Sequence, residues 1–328
     1  MRRIVIPLVR ALIAIPLLHA IAQAEPPQKP THSERPESSS RVGGATTTRS
    51  GRSATPQLRT YVSGLGKDSN PCTASSPCQT FQAAMALTVA GGEIYVLDSA
   101  NCGAVTINKA VSITSEGAMA GVLTTSGAGI TIAAGAGDVI NLRGLDIDGG
   151  GSGGIGVQFS SGQSLNIQKS AVRNFTNSGI SFSPNGPGTL FITDTTVTNN
   201  GNNGISVTSN GTAVNGAINR VTASRNGTGI LAYGGNASVT IIDTVAGNNS
   251  YGIGASSSAV MIRNSTVSNN GVGIAADQNA VVRVGQSTVT ANGTGWQATN
   301  GGQVVSYSNN NVAGNTTDGT VTSTVALQ

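Results

Sequence analysis

Residues 266–274 read Thr-Val-Ser-Asn-Asn-Gly-Val-Gly-Ile, and variants of this stretch stand on both sides of it. The preceding copy is Val-Ala-Gly-Asn-Asn-Ser-Tyr-Gly-Ile at 245–253, and the following copy is Thr-Val-Thr-Ala-Asn-Gly-Thr-Gly-Trp at 288–296. Each copy leads through an asparagine-rich segment to a glycine and a large apolar residue. A unit that recurs at this distance indicates a solenoid built from stacked repeats.

The glycine–apolar pair can be followed through the second half of the chain at nearly regular intervals, which shorten slightly toward the C-terminus. Its glycines are Gly154, Gly179, Gly204, Gly229, Gly252, Gly273 and Gly295. Each unit also holds two apolar residues two positions apart, such as Val260 and Ile262, which is the period of a strand with one buried face. The sequence therefore predicts short strands at fixed intervals.

The apolar members of the pairs are expected to form one buried stack, because equivalent positions of successive coils lie above one another. Trp296 takes the same place in a late unit and is expected to fill the core near the end. The stacked residues are Ile155, Ile180, Ile205, Ile230, Ile253 and Ile274.

An asparagine precedes the glycine–apolar pair in most units. Asparagine and glycine tolerate the left-handed backbone of a sharp corner, and an inward amide can bond the backbone of the same corner one coil away. The sequence therefore predicts a stacked turn. Its members are Asn200, Asn226, Asn249, Asn270 and Asn292.

The composition of the repeat decides between solenoid classes. The units contain β-branched residues, glycine and asparagine and few of the residues that favour helices, which excludes helical repeats and a leucine code. A β-propeller needs about twice as many residues per unit. The sequence predicts an all-β chain, a parallel β-helix of about ten coils of 21–25 residues.

Residues 1–24 have the features of a secretory signal peptide: Arg2 and Arg3, an apolar centre, and Ala22-Gln-Ala24 as the cleavage pattern. We expect cleavage after Ala24, no membrane span in the mature protein, and a secreted, periplasmic or cell-surface location. Residues 25–60 are rich in Pro, Ser, Thr and Arg and are expected to be a disordered tether.

The segment after the tether is expected to cover the first coil. Within residues 61–93, Phe81, Ala84, Met85 and Leu87 recur at nearly helical spacing and predict a short capping helix that Gly91 and Gly92 end. The β-helix itself is expected over residues 94–328. Residues from Thr320 onward are expected to add only a last strand.

The charge of the chain is unevenly distributed. The formal charge of +4 comes from residues 1–60, since residues 61–328 hold nine basic and eleven acidic side chains. Nucleic-acid binding requires a basic patch and aromatic stacking platforms on the folded domain, and the sequence shows neither. We therefore expect no nucleic-acid partner.

Three cysteines lie near the start of the predicted domain. In an exported protein Cys72 and Cys78 are expected to form a disulfide that closes a small loop, which leaves the pairing of Cys102 open. The domain has no histidine, since His19 and His32 precede it, and it has no fourth sulfur ligand. We therefore predict no zinc or other resident metal site.

Residues 61–328 resemble bacterial exported right-handed parallel β-helix repeat proteins of the pectate-lyase-like superfamily. The resemblance is carried by Asp68-Ser-Asn-Pro-Cys72, Pro77-Cys-Gln-Thr-Phe-Gln-Ala-Ala84, Gly91-Gly-Glu-Ile-Tyr-Val-Leu-Asp98 and Gly314-Asn-Thr-Thr-Asp-Gly319. It implies a right-handed coil and polysaccharide chemistry. Lyases of this superfamily hold calcium on several carboxylates and use a basic residue as proton acceptor, whereas its hydrolases use closely placed aspartates.

The only close acidic pair in the domain that fits such chemistry is Asp146 and Asp148, which point to the same face of a strand. Arg143 and Arg173 are the candidate basic partners, and alignment of the coils places Arg173 one coil above Asp148. The competing interpretation is a salt bridge between neighbouring coils, worth at most about 1 kcal/mol. Calcium is expected as a cofactor only if the protein is a lyase.

A second polar column follows the strand pairs: Lys169, Asp194, Arg220, Asp243 and Asn264 occupy equivalent places in successive coils. Alternating signs reduce repulsion between like charges along such a ladder, and the same row can also follow a glycan. Tyr233 begins a longer loop and adds an aromatic contact. Asp194, Arg220, Tyr233 and Asp243 are therefore the candidate ligand-binding residues.

These features favour an exported, non-catalytic module that binds a polysaccharide or surface glycan. Charged residues make up only 10% of the chain, and no carboxylate triad is visible. The alternative is a polysaccharide lyase, hydrolase or epimerase that acts on a uronate-containing polymer. The sequence leaves enzymatic activity open, and the residues that would carry it are the Asp146 and Asp148 pair.

Overall fold

A computed structural model describes residues 55–326. The expected signal peptide and most of the expected tether lie outside these residues. The chain winds through three parallel sheets, which we name A, B and C in the order in which each coil visits them. The ten strands of sheet B correspond to about ten coils.

The strands are numbered in chain order. Sheet A consists of β1 (Gln57–Val62), β2 (Thr88–Val96), β5 (Val111–Thr114), β8 (Val139–Arg143), β11 (Ser164–Gln168), β14 (Gly188–Thr193), β17 (Val214–Asn219), β20 (Ala237–Ile242), β23 (Ala259–Arg263), β26 (Val281–Gly285), β29 (Gln303–Ser306) and β31 (Ser323–Thr324). Sheet B consists of β3 (Ala100–Asn101), β6 (Ala120–Leu123), β9 (Leu145–Asp148), β12 (Ala171–Arg173), β15 (Thr196–Thr198), β18 (Thr222–Ser224), β21 (Val245–Gly247), β24 (Thr266–Ser268), β27 (Thr288–Thr290) and β30 (Asn311–Val312). Sheet C consists of β4 (Val105–Ile107), β7 (Ala128–Ala133), β10 (Ile155–Ser161), β13 (Ile180–Phe182), β16 (Asn203–Thr208), β19 (Thr228–Tyr233), β22 (Tyr251–Ser256), β25 (Val272–Asp277) and β28 (Thr294–Ala298).

The predicted isoleucine stack is present from Ile180 to Ile274, each residue in register with the next and almost fully buried. Trp296 pairs with Ile274 and is 6% exposed, which confirms its expected place in the core. Burial of each such side chain is worth roughly 1.5–3 kcal/mol. The stack is therefore a major source of stability.

The prediction for the first member of the stack was wrong. Val157, not Ile155, lies in register with Ile180, while Ile155 pairs with Ala128 and is only partly buried. A glycine-rich turn over residues 149–154 lengthens this corner, so the glycine–apolar pair that continues the repeat is Gly156 and Val157. The true spacing to Gly179 is thus shorter than the sequence suggested.

The asparagine stack is confirmed. Each inward amide oxygen accepts the backbone N–H of the asparagine one coil earlier, at 2.9–3.1 Å from Asn200 to Asn270. All five asparagines are at most 5% exposed. The ladder continues one coil further than expected, because Asn315 accepts from Asn292 and in turn donates to Asp318.

The N-terminal end of the solenoid is closed by a helix and a disulfide loop. Helix α1 (Phe81–Leu87) begins after Thr80, whose hydroxyl accepts the N–H of Ala83, and its Phe81 is fully buried. Cys72 and Cys78 form the expected disulfide. Their loop pairs with β1, since Tyr61 N donates to Cys72 O and Ser63 N donates to Cys78 O.

Two boundaries differ from the expected ones. Strand β1 begins at Gln57, inside the expected tether, because it pairs in parallel with the distant strand β2. Helix α1 ends at Leu87, and Gly91 and Gly92 lie within β2 rather than ending the helix. The β-branched pair Thr88 and Val89 favours extended backbone, so the first coil begins before residue 94. The last strand, β31, lies where the sequence placed it.

Candidate functional site

The acidic pair and Arg173 form one cluster on the outer face of sheet B. Strands β9 and β12 are paired so that Arg173 lies directly above Asp148, as the coil alignment predicted. The Arg173 guanidinium binds both Asp146 oxygens, with Nη2 to Oδ2 at 2.8 Å, and its Nε lies 3.0 Å from Asp148 Oδ2. One cation therefore compensates two carboxylates.

The surroundings of the cluster favour the ionised forms of Asp148 and Arg173. Burial opposes ionisation of Asp148, but hydrogen bonds from the Gly150 N–H and from Asn174, together with the Arg173 charge, outweigh it and lower the pKa of Asp148. Hydrogen bonding to Asp146 raises the pKa of Arg173. Proton transfer at neutral pH is most efficient for a group whose pKa lies near 7, and both shifts move the pKa away from that value. The geometry is that of a salt bridge between coils.

A shallow depression of about 350 Å³ adjoins the cluster. Asn101 and the exposed side chains Met119 and Leu123 contribute to its walls. Within residues 55–326, no three His, Cys, Asp or Glu side chains converge in a way that could hold a metal ion. The two carboxylates of the cluster are engaged by the guanidinium.

Arg143 does not join this cluster. It lies on β8 in sheet A, around a corner from Asp146, with its Nε 3.4 Å from Glu116 and its Nη1 donating to Gln168 at 2.9 Å. The intervening corner is formed by Gly144, whose φ of 72° turns the chain. Of the two predicted basic partners, the structure brings only Arg173 to the aspartates.

The charged column lies along the corner between sheets A and B. Its members share a left-handed backbone, with φ between 47° and 51°, so their side chains project in equivalent directions. Arg220 pairs with Asp194 at 2.6 Å, and Asn264 donates to Asp243 at 2.5 Å. Hydrogen bonding to Arg220 lowers the pKa of Asp194. The column is an exposed ladder of alternating polar groups.

Tyr233 is not part of this column. It ends β19 in sheet C and is 48% exposed, whereas Asp243 follows the next strand, β20, in sheet A. Six residues of extended strand separate the two corners by roughly 20 Å. The four predicted ligand-binding residues therefore form two separate surfaces.

A hydroxyl ladder next to the charged column was missed by sequence reasoning. Thr244 Oγ1 accepts from Val221 N, Ser265 Oγ accepts from Thr244 N, and Ser287 Oγ accepts from Ser265 N, over distances of 3.2–3.4 Å. The sequence feature that indicates this ladder is a Ser or Thr that directly follows the residue of the charged column in most coils. The ladder fixes the corner and thereby the direction of the charged side chains.

A groove of about 870 Å³ crosses the outer face of sheet A at its first five strands. Its floor contains a row of polar side chains in register: Asn141 donates to Ser112 at 3.1 Å, and Asn166 donates to Asn141 at 2.9 Å. Arg143 and Gln168 form the adjacent row. Sequence reasoning did not identify this groove.

Aromatic side chains lie beside the row and at its far end, whereas the ion pair of Arg59 and Glu93 precedes Ser112 in register. Tyr61 lines the groove and packs edge-on against Tyr95, with ring centroids 6.3 Å apart. Phe191 is in register with Asn166 on the next strand and is 44% exposed. The outer face of sheet A thus combines amide and hydroxyl groups with exposed aromatic surface.

Cys102 is fully buried and unpaired among the described residues. Burial, reinforced by the charge of Asp98, raises the pKa of the thiol to about 12. A protonated, enclosed thiol is a poor nucleophile. Cys102 therefore serves as a small core residue.

Within the described part of the chain, no helix has the length and apolar character that a bilayer crossing requires.

Residues 212–317 match the family model described as the right-handed β-helix region. The protein is a right-handed parallel β-helix. This confirms, at the level of the fold, the resemblance drawn from residues 61–328. None of the curated proteins compared with the sequence matches it.

Three solved structures are similar to this β-helix. A pectate lyase, Pel9A, is 17% identical, with a TM-score of 0.49 over 77% of this chain and 68% of the lyase. The A-module of mannuronan C-5 epimerase AlgE4 from Azotobacter vinelandii is 13% identical, with a TM-score of 0.41 over 82% of this chain and 89% of that module. The A-module of mannuronan C-5 epimerase AlgE6 from the same organism is 11% identical, with a TM-score of 0.41 over 72% of this chain and 87% of that module.

Proposed function

We propose that this β-helix is an exported, non-catalytic carbohydrate-binding protein and that a glycan lies along the outer face of sheet A. The observation that carries the proposal is the groove over the first five strands, with its hydrogen-bonded row of Ser112, Asn141 and Asn166. Sugars present hydroxyl groups at their edges and C–H groups on their faces. The groove offers amides for the former and the Tyr61 ring for the latter, and its lining also includes Arg59, Glu93 and Arg143.

The polar row keeps hydrogen-bonding capacity at both ends. Asn166 uses its amide nitrogen within the row, which leaves its oxygen to accept, and the Ser112 hydroxyl accepts from Asn141, which leaves its proton to donate. Neighbouring strands lie about 4.8 Å apart, so equivalent groups recur along the solenoid axis. An extended oligosaccharide parallel to that axis meets one such group per coil.

Export is the second part of the proposal. It rests on the signal-peptide pattern of residues 1–24 and on the disulfide between Cys72 and Cys78, since structural disulfides persist in oxidising compartments. The basic, proline-rich composition of residues 25–60 is typical of a linker, and we propose that this segment tethers the module.

The test is affinity electrophoresis of the full chain in gels that contain neutral and uronate-bearing polysaccharides. We expect retarded migration in at least one neutral polymer and, in the double variant Asn141→Ala, Asn166→Ala, an apparent Kd about thirtyfold higher, since two hydrogen bonds of about 1 kcal/mol each are lost. Thr240→Ala is the matched control, because Thr240 faces outward on the same sheet beyond the groove. Equal retardation of both variants and the native protein would place binding elsewhere.

The second candidate function is a polysaccharide lyase, hydrolase or epimerase, and the observation that favours it is the Asp146, Asp148 and Arg173 cluster beside a depression. The same polymers are therefore incubated with the protein, with and without calcium, and followed by ultraviolet absorbance and reducing ends. Cleavage that disappears in Asp146→Ala and Asp148→Ala would replace the binding proposal with the enzymatic one.

A further inference from the structure

The corner between sheets B and C carries two adjoining grooves, both shallow and open to solvent, of about 460 and 690 Å³, on a different face from the groove of sheet A. The buried asparagine ladder and glycines such as Gly201, Gly227 and Gly271 form their floor. The rim is an outward column whose members share a left-handed backbone with φ between 56° and 62°. We call these residues the corner column: Asn174, Asn199, Arg225, Asn248 and Asn269.

Arg225 is the one charged member of the corner column. Asparagine adopts the left-handed backbone more readily than most residues, so an arginine at φ 56° is conformationally less favourable than the asparagines in the adjacent coils. Arg225 lines both grooves. Its position therefore places a guanidinium group at the rim of both grooves.

No described carboxylate compensates Arg225. Four other arginines of the described chain lie in ion pairs, namely Arg59 with Glu93, Arg143 with Glu116, Arg173 with Asp146 and Asp148, and Arg220 with Asp194. Neither groove is lined by an acidic residue among the residues that the structure describes. The guanidinium is thus the one charged group of the described chain that faces these grooves.

The neighbouring amides have unused hydrogen-bonding capacity. Asn248 makes no side-chain hydrogen bond to the described residues, and Asn269 makes only a long one, of 3.4 Å, to Ser268. Asn199 donates to Asn174 at 2.7 Å, which leaves its oxygen free to accept. Amide groups that can donate and amide oxygens that can accept hydrogen bonds therefore lie on both sides of the Arg225 guanidinium.

We propose that the corner column binds an anionic oligosaccharide, with an oxyanion of the sugar on Arg225 and sugar hydroxyls on Asn199, Asn248 and Asn269. A guanidinium binds planar or tetrahedral oxyanions through paired hydrogen bonds. Coils about 4.8 Å apart present one column side chain to each step of an extended sugar chain. This site is independent of the groove on sheet A.

Carboxylate and sulfate groups share the chemistry that Arg225 recognises, so the experiment uses one backbone with three substituents. Affinity electrophoresis of the full chain is run in carboxymethylcellulose, cellulose sulfate and hydroxyethylcellulose. We expect Arg225→Asn to raise the apparent Kd for at least one anionic polymer about threefold or more while leaving the neutral polymer unchanged, and we expect salt to weaken the native interaction. The polymer that responds identifies the oxyanion.

Two controls separate the site from general charge effects. Arg283→Gln removes another exposed arginine that has no described ion pair, on the outer face of sheet A, and should leave the Kd for the anionic polymers within about 1.5-fold. Arg225→Asn installs the residue of the adjacent coils and should retain the native melting temperature. The proposal is overturned if Arg225→Asn binds the anionic polymers as tightly as the native protein does. It is also overturned if Arg283→Gln raises the apparent Kd for these polymers by the same factor as Arg225→Asn. Loss of neutral binding in Asn141→Ala, Asn166→Ala reports on sheet A alone.

Discussion

At the scale of single residues, the clearest structural constraint is the way Arg173 holds two aspartates. The guanidinium contacts Asp146 and Asp148 at once, and Asn174 and the Gly150 N–H complete the coordination of Asp148 at 2.9 and 2.8 Å. Sequence alignment of the coils was sufficient to place Arg173 over Asp148. It could not show that the same guanidinium also spans Asp146, because the direction of a long side chain depends on its neighbours.

This arrangement predicts a pH-dependent stability. The folded pKa of Asp148 lies below its unfolded value of about 3.9, so the ionised carboxylate stabilises the fold above that value, and the contribution is lost as the pH falls through the lower folded pKa. We expect Asp148→Asn to lower the Tm at pH 7, and we expect this difference to shrink as the pH falls below the unfolded pKa of about 3.9. Thermal melts from pH 2 to 7 measure this, with Asp243→Asn as an exposed control. A Tm difference that stays the same from pH 7 to pH 2 would contradict the assignment.

At the scale of elements, the inward positions were predictable and the outward ones were not. The repeat from Ile180 to Ile274 and the asparagine ladder follow from residues that must fill one interior, so their identity recurs. The error at Ile155 arose where six residues of mostly glycine offer two glycine–apolar pairs, and only pairing with Ala128 and Ile180 decides between them. The outward side chains on the floor of the sheet A groove occupy equivalent positions in successive coils but differ in residue type. The repeat pattern of the sequence therefore does not reveal the groove.

The asparagine ladder should be sensitive to the loss of one rung. Asn249 accepts from Asn226 N at 2.9 Å and donates to Ala223 O and Asn270 Oδ1, both at 3.1 Å. Asn249→Ala leaves buried partners unpaired, each at a cost of roughly 1–3 kcal/mol, so we expect the free energy of unfolding to fall by about 2–4 kcal/mol in urea titrations. Asn248→Ala is the control, because it changes an exposed side chain in a column where Ala291 already has φ 56°. Equal losses in both variants would show that the backbone, not the amide ladder, is responsible.

At the scale of the whole molecule, stability in a solenoid is approximately the sum of coil and interface contributions, so the two ends decide where unfolding starts. The ends are closed differently. Helix α1 and the disulfide loop cover the first coil, whereas Asp318 ends the asparagine ladder and the short strand β31 pairs with β29 at the other end. Strand β1 was not foreseen from the sequence because its partner β2 is distant in the chain and its own pattern is short.

The disulfide loop should therefore protect one end of the molecule without supporting its middle. The loop pairs with β1 through the Cys72 and Cys78 backbone oxygens, so replacing both cysteines by serine releases the edge of sheet A. For a loop of this size the expected loss is about 2 kcal/mol. Hydrogen exchange measured by mass spectrometry should accelerate in peptides that cover β1 and β2 and remain unchanged in peptides that cover β16 to β23.

Because an uncovered edge offers unpaired backbone groups, we also expect concentration-dependent association of the variant. Uniform acceleration along the chain would instead mean that the coils unfold as one cooperative unit and that the loop stabilises all of them.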